Sequence, residues 1–461
     1  MKNPVYKTAL FVFLSLSLFV SGSAQTAVVT VSNQEVSAKV DEYMHALVAA
    51  KGYGGAVLVA RDGKAIAARG YGLANAELNV PNTAQTKFRI GSLTKQFTAA
   101  AILLLQERGK LNVRDGVCKY LASTDCPAAW QAITLHHLLT HTSGIPNITA
   151  LPDWEAKKTL PATPAQSLAR FRDLPLEFKP GEQFKYSNSN YLLLGLMVEK
   201  ASDASYEAFM KENVFAPLKM ADTGLDHTAQ ILKNRAAGYS RDGETLINAS
   251  YVEMNIPFAA GAMYSTVEDL LRWDQALYGE SFLSRKSLDA MFTPEKNGYA
   301  YGIGVGTINN RRLIAHSGGI EGFSSHISRF PDQRATVIVL MNNDEAAASL
   351  VAKDLAAILF GEEYEVPKIR RQAAVDPKIY DAYAGQYEIA PGFILTVTRE
   401  GNKLMAQATG QPSAELFPES ETKFFLRVVD AQITFEKDAA GRVTGLILHQ
   451  GGRNIPAKKI K

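Results

Sequence analysis

Strand-like segments lie at both ends of roughly the first 360 residues, and the stretch between them has a different character. Near the start, Gly55–Ala60 and Lys64–Gly70 are separated by a tight Asp-Gly turn, which predicts a β-hairpin. From about residue 110 to about residue 290 the pattern indicates helices and long loops. Four more strands are then predicted, and their bounds are Tyr301–Thr307, Arg312–Ser317, Phe323–Arg329 and Thr336–Met341.

Helices are predicted beside both groups of strands. Ser32-Asn33-Gln34-Glu35 has the form of a capping box and opens a helix that runs to about Lys51. A second capping box, Ser265–Glu268, precedes another helix, and Glu345–Phe360 forms a helix after the last strand. Strands from both ends of one segment, with a helix at each end, predict an α+β domain over residues 33–362, an α/β sandwich with one antiparallel sheet flanked by helices.

The composition changes after this segment. Residues 363–378 carry charges and two prolines without periodicity, which predicts a linker. Short strand-like runs separated by turns then predict a small, separate β-barrel or sandwich over residues 379–461. The predicted strands of this second domain are Phe393–Arg399, Lys403–Ala408, Phe424–Val429, Ile433–Lys437, Val443–His449 and Ile455–Lys458.

The first 24 residues have the pattern of a secretory signal peptide. Two lysines precede an apolar run, Ala9–Val20, which is too short to span a bilayer because a spanning helix needs about 20 residues. Cleavage after Ala24 would release an exported protein, periplasmic or secreted, and no later segment is long and apolar enough for a membrane helix. Loss of the two lysines lowers the formal net charge from +3 to +1. No basic block remains, so nucleic acid is not an expected partner.

Two smaller groups of residues bear on metals and redox state. Cys118 and Cys126 are eight residues apart, and in an oxidising compartment we expect them to pair and close a small loop. Two free structural thiols are the alternative.

His137 and His141 have a spacing that could suit a metal, but no carboxylate stands between them, which favours core or loop histidines. We expect neither a metal nor a cofactor, and the oligomeric state is left open.

Ser92-Leu93-Thr94-Lys95 places a serine and a lysine three residues apart, on one face of a helix. A serine hydroxyl becomes a nucleophile when its proton can pass to a desolvated amine beside it. The same spacing recurs at Ser420-Glu421-Thr422-Lys423, so spacing alone proves little. The first copy is followed by a strongly apolar segment that ends at Gly109, which predicts a buried helix with Ser92 at its N-terminus. The second copy has no such helix and is predicted to be an exposed loop.

An acyl-transfer site also needs a proton relay and an oxyanion hole. Tyr186-Ser187-Asn188 offers a phenol and an amide, although a packed loop tyrosine with a helix-capping asparagine is an alternative interpretation. His316-Ser317-Gly318-Gly319 ends a predicted strand, where glycines permit close approach of a ligand. Lys296-Asn297-Gly298 and His449-Gln450-Gly451 are weaker candidates for this last element.

The combination of motifs resembles serine hydrolases related to class C β-lactamases and to the D-alanyl-D-alanine carboxypeptidases among penicillin-binding proteins. The resemblance covers about residues 35–362, and residues 375–461 resemble the lipocalin-like β-barrel appended to some of these hydrolases. It implies a five-stranded antiparallel sheet packed by helices, with a helical subdomain and the site between them. The segments that carry it are Ile90–Phe97, Leu138–Gly144, Tyr186–Tyr191, Gly261–Thr266 and Tyr383–Tyr387.

The resemblance also implies roles for single residues. Ser92 would be the nucleophile, and Lys95 with Tyr186 would form the proton relay. Lysine and tyrosine have ordinary pKa values of about 10.4 and about 10, so neither is a good base unless the site shifts its pKa. Which of the two takes the serine proton stays open.

Substrate contacts follow from the same comparison. Asn188 would orient the substrate amide, and the backbone N–H groups of Ser92 and Gly319 would form the oxyanion hole. His316 would line the site opposite the serine, with Gly318 as a further substrate-binding residue. The related β-lactamases carry lysine at the position of His316, and a histidine with an ordinary pKa of about 6.5 supplies no fixed cation for a β-lactam carboxylate.

These observations favour an exported serine hydrolase that acts through a Ser92 acyl-enzyme on a small peptide or amide. Substrates that contain D-amino acids fit this class, with cleavage of the carboxypeptidase or aminopeptidase type. A carboxylesterase or weak β-lactamase on the same site is an alternative. A penicillin-binding or sensing protein that is acylated without turnover is another.

Overall fold

The computed structural model of the protein describes residues 31–242, 245–370, 372–426, 431–450 and 453–461. The predicted signal peptide, residues 1–24, lies outside the described residues. The chain divides into two compact units, one ending at Val366 and the other beginning at Pro367. No helix among the described segments has both the length and the apolar character needed to cross a bilayer.

The bounds of the regular elements are as follows. The helices are α1 (Asn33–Lys51), α2 (Thr94–Glu107), α3 (Leu135–Leu139), α4 (Trp154–Lys157), α5 (Pro164–Ala169), α6 (Asn188–Ser202), α7 (Tyr206–Met210), α8 (Phe258–Gly261), α9 (Val267–Ala276), α10 (Arg285–Phe292), α11 (Ala348–Phe360) and α12 (Tyr380–Tyr383). The strands of the first unit are β1 (Gly55–Arg61), β2 (Lys64–Tyr71), β3 (Leu73–Asn75), β4 (Val80–Pro81), β5 (Phe88–Arg89), β6 (Gly224–Leu225), β7 (Tyr239–Asp242), β8 (Thr245–Asn248), β9 (Met263–Ser265), β10 (Gly304–Ile308), β11 (Arg311–Ile320), β12 (Phe323–Phe330) and β13 (Ala335–Met341). The second unit contains β14 (Gly385–Ala390), β15 (Phe393–Glu400), β16 (Lys403–Ala408), β17 (Ala414–Pro418), β18 (Lys423–Leu426), β19 (Ala431–Lys437), β20 (Val443–Gln450) and β21 (Arg453–Lys459).

The first unit is built around an antiparallel sheet with the strand order β10-β11-β12-β13-β1-β2. The β1–β13 pairing, in which Gly55 lies opposite Met341, joins the two ends of the segment as the sequence predicts. The sheet has six strands, which agrees with the number predicted from the pattern and is one more than the family resemblance implies. The sequence thus predicts the α+β architecture correctly.

Both faces of the sheet are covered by helices. Side chains in a strand alternate between the two faces, so one strand contributes residues to two separate cores. Val57 and Val337 belong to the core that lies between the sheet and helices α1 and α11. Leu58 and Ile338 point to the opposite face and join the larger core that includes Phe97 of α2. The α2 helix is buried along nearly its whole length, which explains its apolar sequence.

Several boundaries differ from the prediction, most of them by one to three residues. Strand β10 begins at Gly304 rather than Tyr301, because the positive φ of Gly302, 72°, interrupts the extended backbone. Glycine is needed at this position, since a β-carbon there would lie 2.6 Å from the Lys95 carbonyl oxygen. Helix α9 is capped by Thr266, whose side chain accepts from Asp269 N, since Ser265 is the last residue of β9. Helix α11 begins at Ala348 rather than Glu345. The segment between the sheet strands also contains short strands that the pattern did not predict.

The second unit contains a closed barrel of eight antiparallel strands, β14 to β21. The barrel closes because β14 pairs with β21, where Tyr387 lies opposite Lys459. Its core combines aliphatic and aromatic side chains, and the rings of Tyr383 and Phe435 stack with their centres 4.1 Å apart. The sequence predicts six of these strands and misses β14 and β17. The second Ser-x-x-Lys copy begins at Ser420, in the bend between β17 and β18, as predicted.

A buried ion pair joins α9 to the sheet. Arg329 Nε lies 2.7 Å from Asp274 Oδ1, and Thr336 donates a hydrogen bond to the other carboxylate oxygen. The two charged side chains are 4% and 0% exposed, so neither could be hydrated if the other were removed. The pair is therefore a structural element, whose loss would leave an uncompensated buried charge.

Replacement of Asp274 by alanine should lower the free energy of unfolding of the first unit by about 3 to 5 kcal/mol, because Arg329 would stay buried without a partner. All three tryptophans, Trp130, Trp154 and Trp273, lie in this unit, so urea unfolding followed by tryptophan fluorescence reports on it. The matched control is Glu280→Ala, which removes an exposed pair with Arg285 and should cost less than about 1 kcal/mol. Equal effects of the two variants would contradict this assignment.

Candidate active site

Ser92 lies in a 3₁₀ turn, Gly91–Leu93, that leads directly into α2. Gly91 has a positive φ of 49°, and a β-carbon at this position would lie 2.9 Å from the backbone nitrogen and oxygen of Gly319. The turn is also anchored to strand β9, since Ile90 N donates to Met263 O over 2.9 Å. A glycine at position 91 therefore brings the serine segment into contact with strand β11.

Lys95 is fully buried and directs its amine at Ser92. Its Nζ lies 2.9 Å from Ser92 Oγ, 2.8 Å from Asn188 Oδ1 and 2.8 Å from the carbonyl oxygen of Ala260. None of the described carboxylates forms an ion pair with it. Burial therefore lowers the pKa of Lys95 well below its ordinary value of 10.5. A buried amine without a counter-ion is stabilised in its neutral form.

Tyr186 and Asn188 come from the segment that starts α6. The Lys95 Nζ is 4.9 Å from the centre of the Tyr186 ring. Burial raises the pKa of the Tyr186 phenol, and a hydrogen bond with Ser92 opposes this shift only in part. The amide of Asn188 is held from the other side, because its Nδ2 donates to Thr149 Oγ1 over 3.1 Å. One N–H of that amide is left over, which can bind a carbonyl group.

Strand β11 supplies the opposite wall of the site. The ring of His316 lies 6.3 Å from the ring of Tyr186, centre to centre. Burial is the main cause that lowers the pKa of His316 to about 3, and the nearby Lys95 adds to it, so the imidazole is neutral at pH 7. Gly318 is buried, and a β-carbon there would lie 2.0 Å from Ile90 O, so this glycine contacts the serine segment. Gly319 is exposed beside Gly91.

The structure brings the sequence-predicted residues Ser92, Lys95, Tyr186, Asn188, His316, Gly318 and Gly319 together between the sheet and the helical region. A disulfide joins Cys118 to Cys126 outside this group, in a segment of 3₁₀ turns. No cluster of His, Cys, Asp and Glu suited to a metal is found within the described residues. His137 lies in α3, where its Nδ1 accepts from Thr134 N at the helix N-terminus.

Two residues that contact the site, His141 and Tyr299, are not among the site residues predicted from the sequence. His141, treated above as a core or loop histidine, is fully buried with its ring 4.2 Å from the Tyr186 ring. Tyr299 lies 3.0 Å from His316, measured from its hydroxyl to Nε2. His141 lies within the segment Leu138–Gly144 and Tyr299 directly follows Lys296-Asn297-Gly298, but their contacts with the site arise from tertiary packing, which local spacing does not predict.

Two family models match the chain. The family described as Beta-lactamase matches residues 23–361, and the one described as a domain of unknown function, DUF3471, matches residues 370–458. Penicillin-binding protein 4* of Bacillus subtilis (strain 168) is 32% identical over 437 residues, which cover 89% of this chain and 95% of that protein. The matches therefore extend over both compact units.

Solved structures show the same similarity. The octameric penicillin-binding protein homologue from Pyrococcus abyssi superposes with a TM-score of 0.66 at 28% identity, covering 91% of this chain and 99% of that one. A D-stereospecific amidohydrolase from Streptomyces sp. gives a TM-score of 0.60 at 28% identity, covering 71% of this chain and 99% of that one. The fold described above is thus shared with proteins of this group.

Proposed function

The chain belongs to the Beta-lactamase family of serine hydrolases, and on that premise we propose that it hydrolyses peptides or amides through an acyl-enzyme on Ser92. The D-stereospecific amidohydrolase among the similar structures supports a substrate with a D-amino acid, since it shares 28% identity with this chain. Carboxypeptidase and aminopeptidase types of cleavage both fit this proposal. We expect neither a metal nor a cofactor in the reaction.

The arrangement of contacts around Lys95 Nζ supports the proposal more than any other observation. The amide oxygen of Asn188 and the carbonyl oxygen of Ala260 can only accept hydrogen bonds. A neutral amine has two N–H groups, which these two oxygens occupy. Its lone pair then faces the third neighbour, Ser92 Oγ, at 2.9 Å. This is the geometry of a general base that takes the serine proton.

The reaction follows from these positions. Ser92 Oγ attacks the substrate carbonyl carbon while its proton passes to Lys95 Nζ, and a C–O bond forms. The tetrahedral intermediate collapses with cleavage of the bond to the leaving group, which takes a proton from the neutral phenol of Tyr186; the phenol regains it from Lys95. Water then attacks the acyl-enzyme ester, the serine recovers its proton, and the acid product leaves.

The remaining site residues would stabilise charge and orient the substrate. We assign the oxyanion hole to the backbone N–H groups of Ser92 and Gly319, because Gly91 brings the two segments together. The free N–H of Asn188 would bind the carbonyl of the substrate's backbone amide. His316 would line the site as a neutral ring, and a substrate contact at Gly318 stays a prediction.

A panel of chromogenic substrates tests the substrate class. We expect D-amino-acid 4-nitroanilides and 4-nitrophenyl esters to be hydrolysed with a larger kcat/KM than nitrocefin, because the site offers no fixed cation to a β-lactam carboxylate. The matched L-amino-acid compounds measure stereoselectivity in the same assay. A higher kcat/KM for nitrocefin than for every D-amino-acid compound would contradict the proposed substrate class.

His141 holds Tyr186 and the start of α6, and its variants test the importance of that placement. Its Nδ1 accepts from Ser187 N over 3.2 Å, and its φ of 57° is one that asparagine and glycine tolerate best. His141→Gly keeps the backbone angle and loses the acceptor, so kcat should fall by about 10²-fold. His141→Asn can keep both and should restore part of kcat. Unchanged kcat in the glycine variant would contradict this role.

Two further proposals concern the whole chain. We propose that residues 1–24 direct export, so that the protein is periplasmic or secreted; the disulfide between Cys118 and Cys126 supports an oxidising compartment. We also propose residues 33–362 as the hydrolase domain, 363–378 as a linker and 379–461 as a separate barrel domain. The division between Val366 and Pro367 supports this organisation.

A further inference from the structure

Both ring nitrogens of His316 are occupied by hydrogen bonds within the protein. Nδ1 lies 2.6 Å from the carbonyl oxygen of Ser317, which can only accept, so this nitrogen carries the hydrogen. In a neutral imidazole Nε2 is then an acceptor, and the Tyr299 hydroxyl donates to it over 3.0 Å. His316 therefore has no N–H group left for a substrate.

Tyr299 is held rigidly in this position. Its backbone nitrogen donates to Lys296 O over 2.9 Å, and its carbonyl oxygen accepts from Glu295 N over 2.9 Å. Its ring packs against Phe184 at 5.6 Å and against His141 at 4.8 Å, centre to centre. A substrate would have to break this packing to displace the tyrosine hydroxyl from His316.

The wall that carries the pair is neutral and aromatic. Its rings are those of Phe184, Tyr186, Tyr299 and His316. Among the described residues, Lys95 and His326 act on His316, and a proton on either of them would disfavour a proton on its ring. His326 itself is buried between Ser317 and Ser328 and its pKa is lowered to about 4. A carboxylate placed against this wall would lose its hydration and gain no cation.

We propose that the Tyr299–His316 pair selects substrates whose leaving group is uncharged, such as esters, amino-acid amides and peptide amides, over substrates that end in a free carboxylate. The inference rests on the proposed function, in which Tyr186 gives the leaving group its proton. The leaving group then lies beside Tyr186, and the rings of Tyr299 and His316 are its neighbours. The pair thereby favours amidase, esterase or aminopeptidase cleavage over carboxypeptidase cleavage.

Two matched esters test the selectivity: the acetate of 3-hydroxybenzamide and the acetate of 3-hydroxybenzoate. The leaving group of the first carries an uncharged carboxamide, and that of the second carries a carboxylate at the same position. Each kcat/KM is divided by the alkaline hydrolysis rate of the same ester, which removes the difference in intrinsic reactivity. We expect the wild type to prefer the carboxamide ester by about tenfold or more. Equal rates, or a preference for the carboxylate ester, would overturn the inference.

Variants separate this inference from the proposed function. His316→Lys introduces a cation and should lower the preference by about tenfold. Tyr299→Phe removes the hydroxyl that occupies the Nε2 lone pair, so Nε2 can take a proton when a carboxylate binds, and the preference should also fall. Tyr301→Phe removes a hydroxyl bonded to His136 instead and should leave the preference unchanged. If the ratio of kcat/KM for the carboxamide ester to that for the carboxylate ester is the same in Tyr299→Phe and Tyr301→Phe, the role of the pair is overturned. If Ser92→Ala still hydrolyses both esters at the wild-type rates, the proposed function itself fails. If Ser92→Ala hydrolyses neither ester and the wild type hydrolyses both equally well, only the proposed selectivity fails.

Discussion

Replacement of Ser92 by alanine should lower kcat by about 10⁴-fold to 10⁶-fold for every ester and amide that the protein hydrolyses, because the variant has no nucleophile at the N-terminus of α2. The oxyanion hole and the substrate contacts would remain, so residual turnover and an almost unchanged KM are expected. Initial rates with a D-amino-acid 4-nitrophenyl ester measure both parameters.

The chain contains its own control for this variant. Ser420 has the same spacing to Lys423 but lies in a bend of the barrel domain, where its Oγ accepts from the backbone nitrogen of Lys423. Ser420→Ala should therefore leave kcat unchanged. A comparable loss in both variants, or none in Ser92→Ala, would show that the acyl-enzyme is not formed where we propose.

Lys95→Met is the second variant with a large expected effect. Methionine fills a similar volume but has no proton acceptor, so kcat/KM should fall by about 10² to 10⁴-fold, the usual contribution of a general base. Lys95→Arg keeps a positive charge, and because a guanidinium stays protonated in a protein it cannot accept the serine proton, so kcat/KM should fall by a similar factor. The control is Lys423→Met in the barrel. Activity in the arginine variant would contradict a base role for Lys95 and favour a purely electrostatic one.

The pH dependence of kcat/KM gives an independent test of Lys95. Because burial lowers the pKa of this amine well below 10.5, the active neutral form should dominate at pH values where an ordinary lysine is charged. Activity should therefore be present above this lowered pKa and be lost as the pH falls through it. Rates measured from about pH 5 to about pH 10 report this limb. A rise that begins only near the ordinary lysine pKa would contradict the assignment.

Part of the site could be predicted because its information is local. Ser92 and Lys95 belong to one turn of helix, and the apolar sequence after them indicates that the helix is buried. Tyr186 and Asn188 are similarly joined in one short segment. The apolar runs of β1 and β13 also predicted two strands of one sheet, although Gly55 and Met341 are far apart in the chain.

The rest depends on tertiary contacts that spacing does not encode. The position of His141 is set by the packing of its ring against Tyr186, whereas its spacing from His137, without a carboxylate between them, predicted only a core or loop histidine. Tyr299 reaches His316 from the loop before β10, and Gly302 in the same loop lies against the Lys95 carbonyl oxygen, a contact between segments that are far apart in the sequence. In the barrel, the unpredicted strands β14 and β17 are no shorter than β18, which the sequence predicts, so their pairing with neighbouring strands rather than their length decides their conformation.

The most direct test of the central claim is the identification of the acylated residue. The protein is mixed with a D-amino-acid 4-nitrophenyl ester, quenched in acid at intervals, digested and examined by mass spectrometry. We predict that the acyl group appears on the peptide that contains Ser92 within the first turnover, reaches a steady level, and disappears once the ester is consumed. Absence of the adduct from that peptide would contradict the proposed acyl-enzyme. An adduct that persists after the ester is gone would instead show that the protein is acylated without turnover.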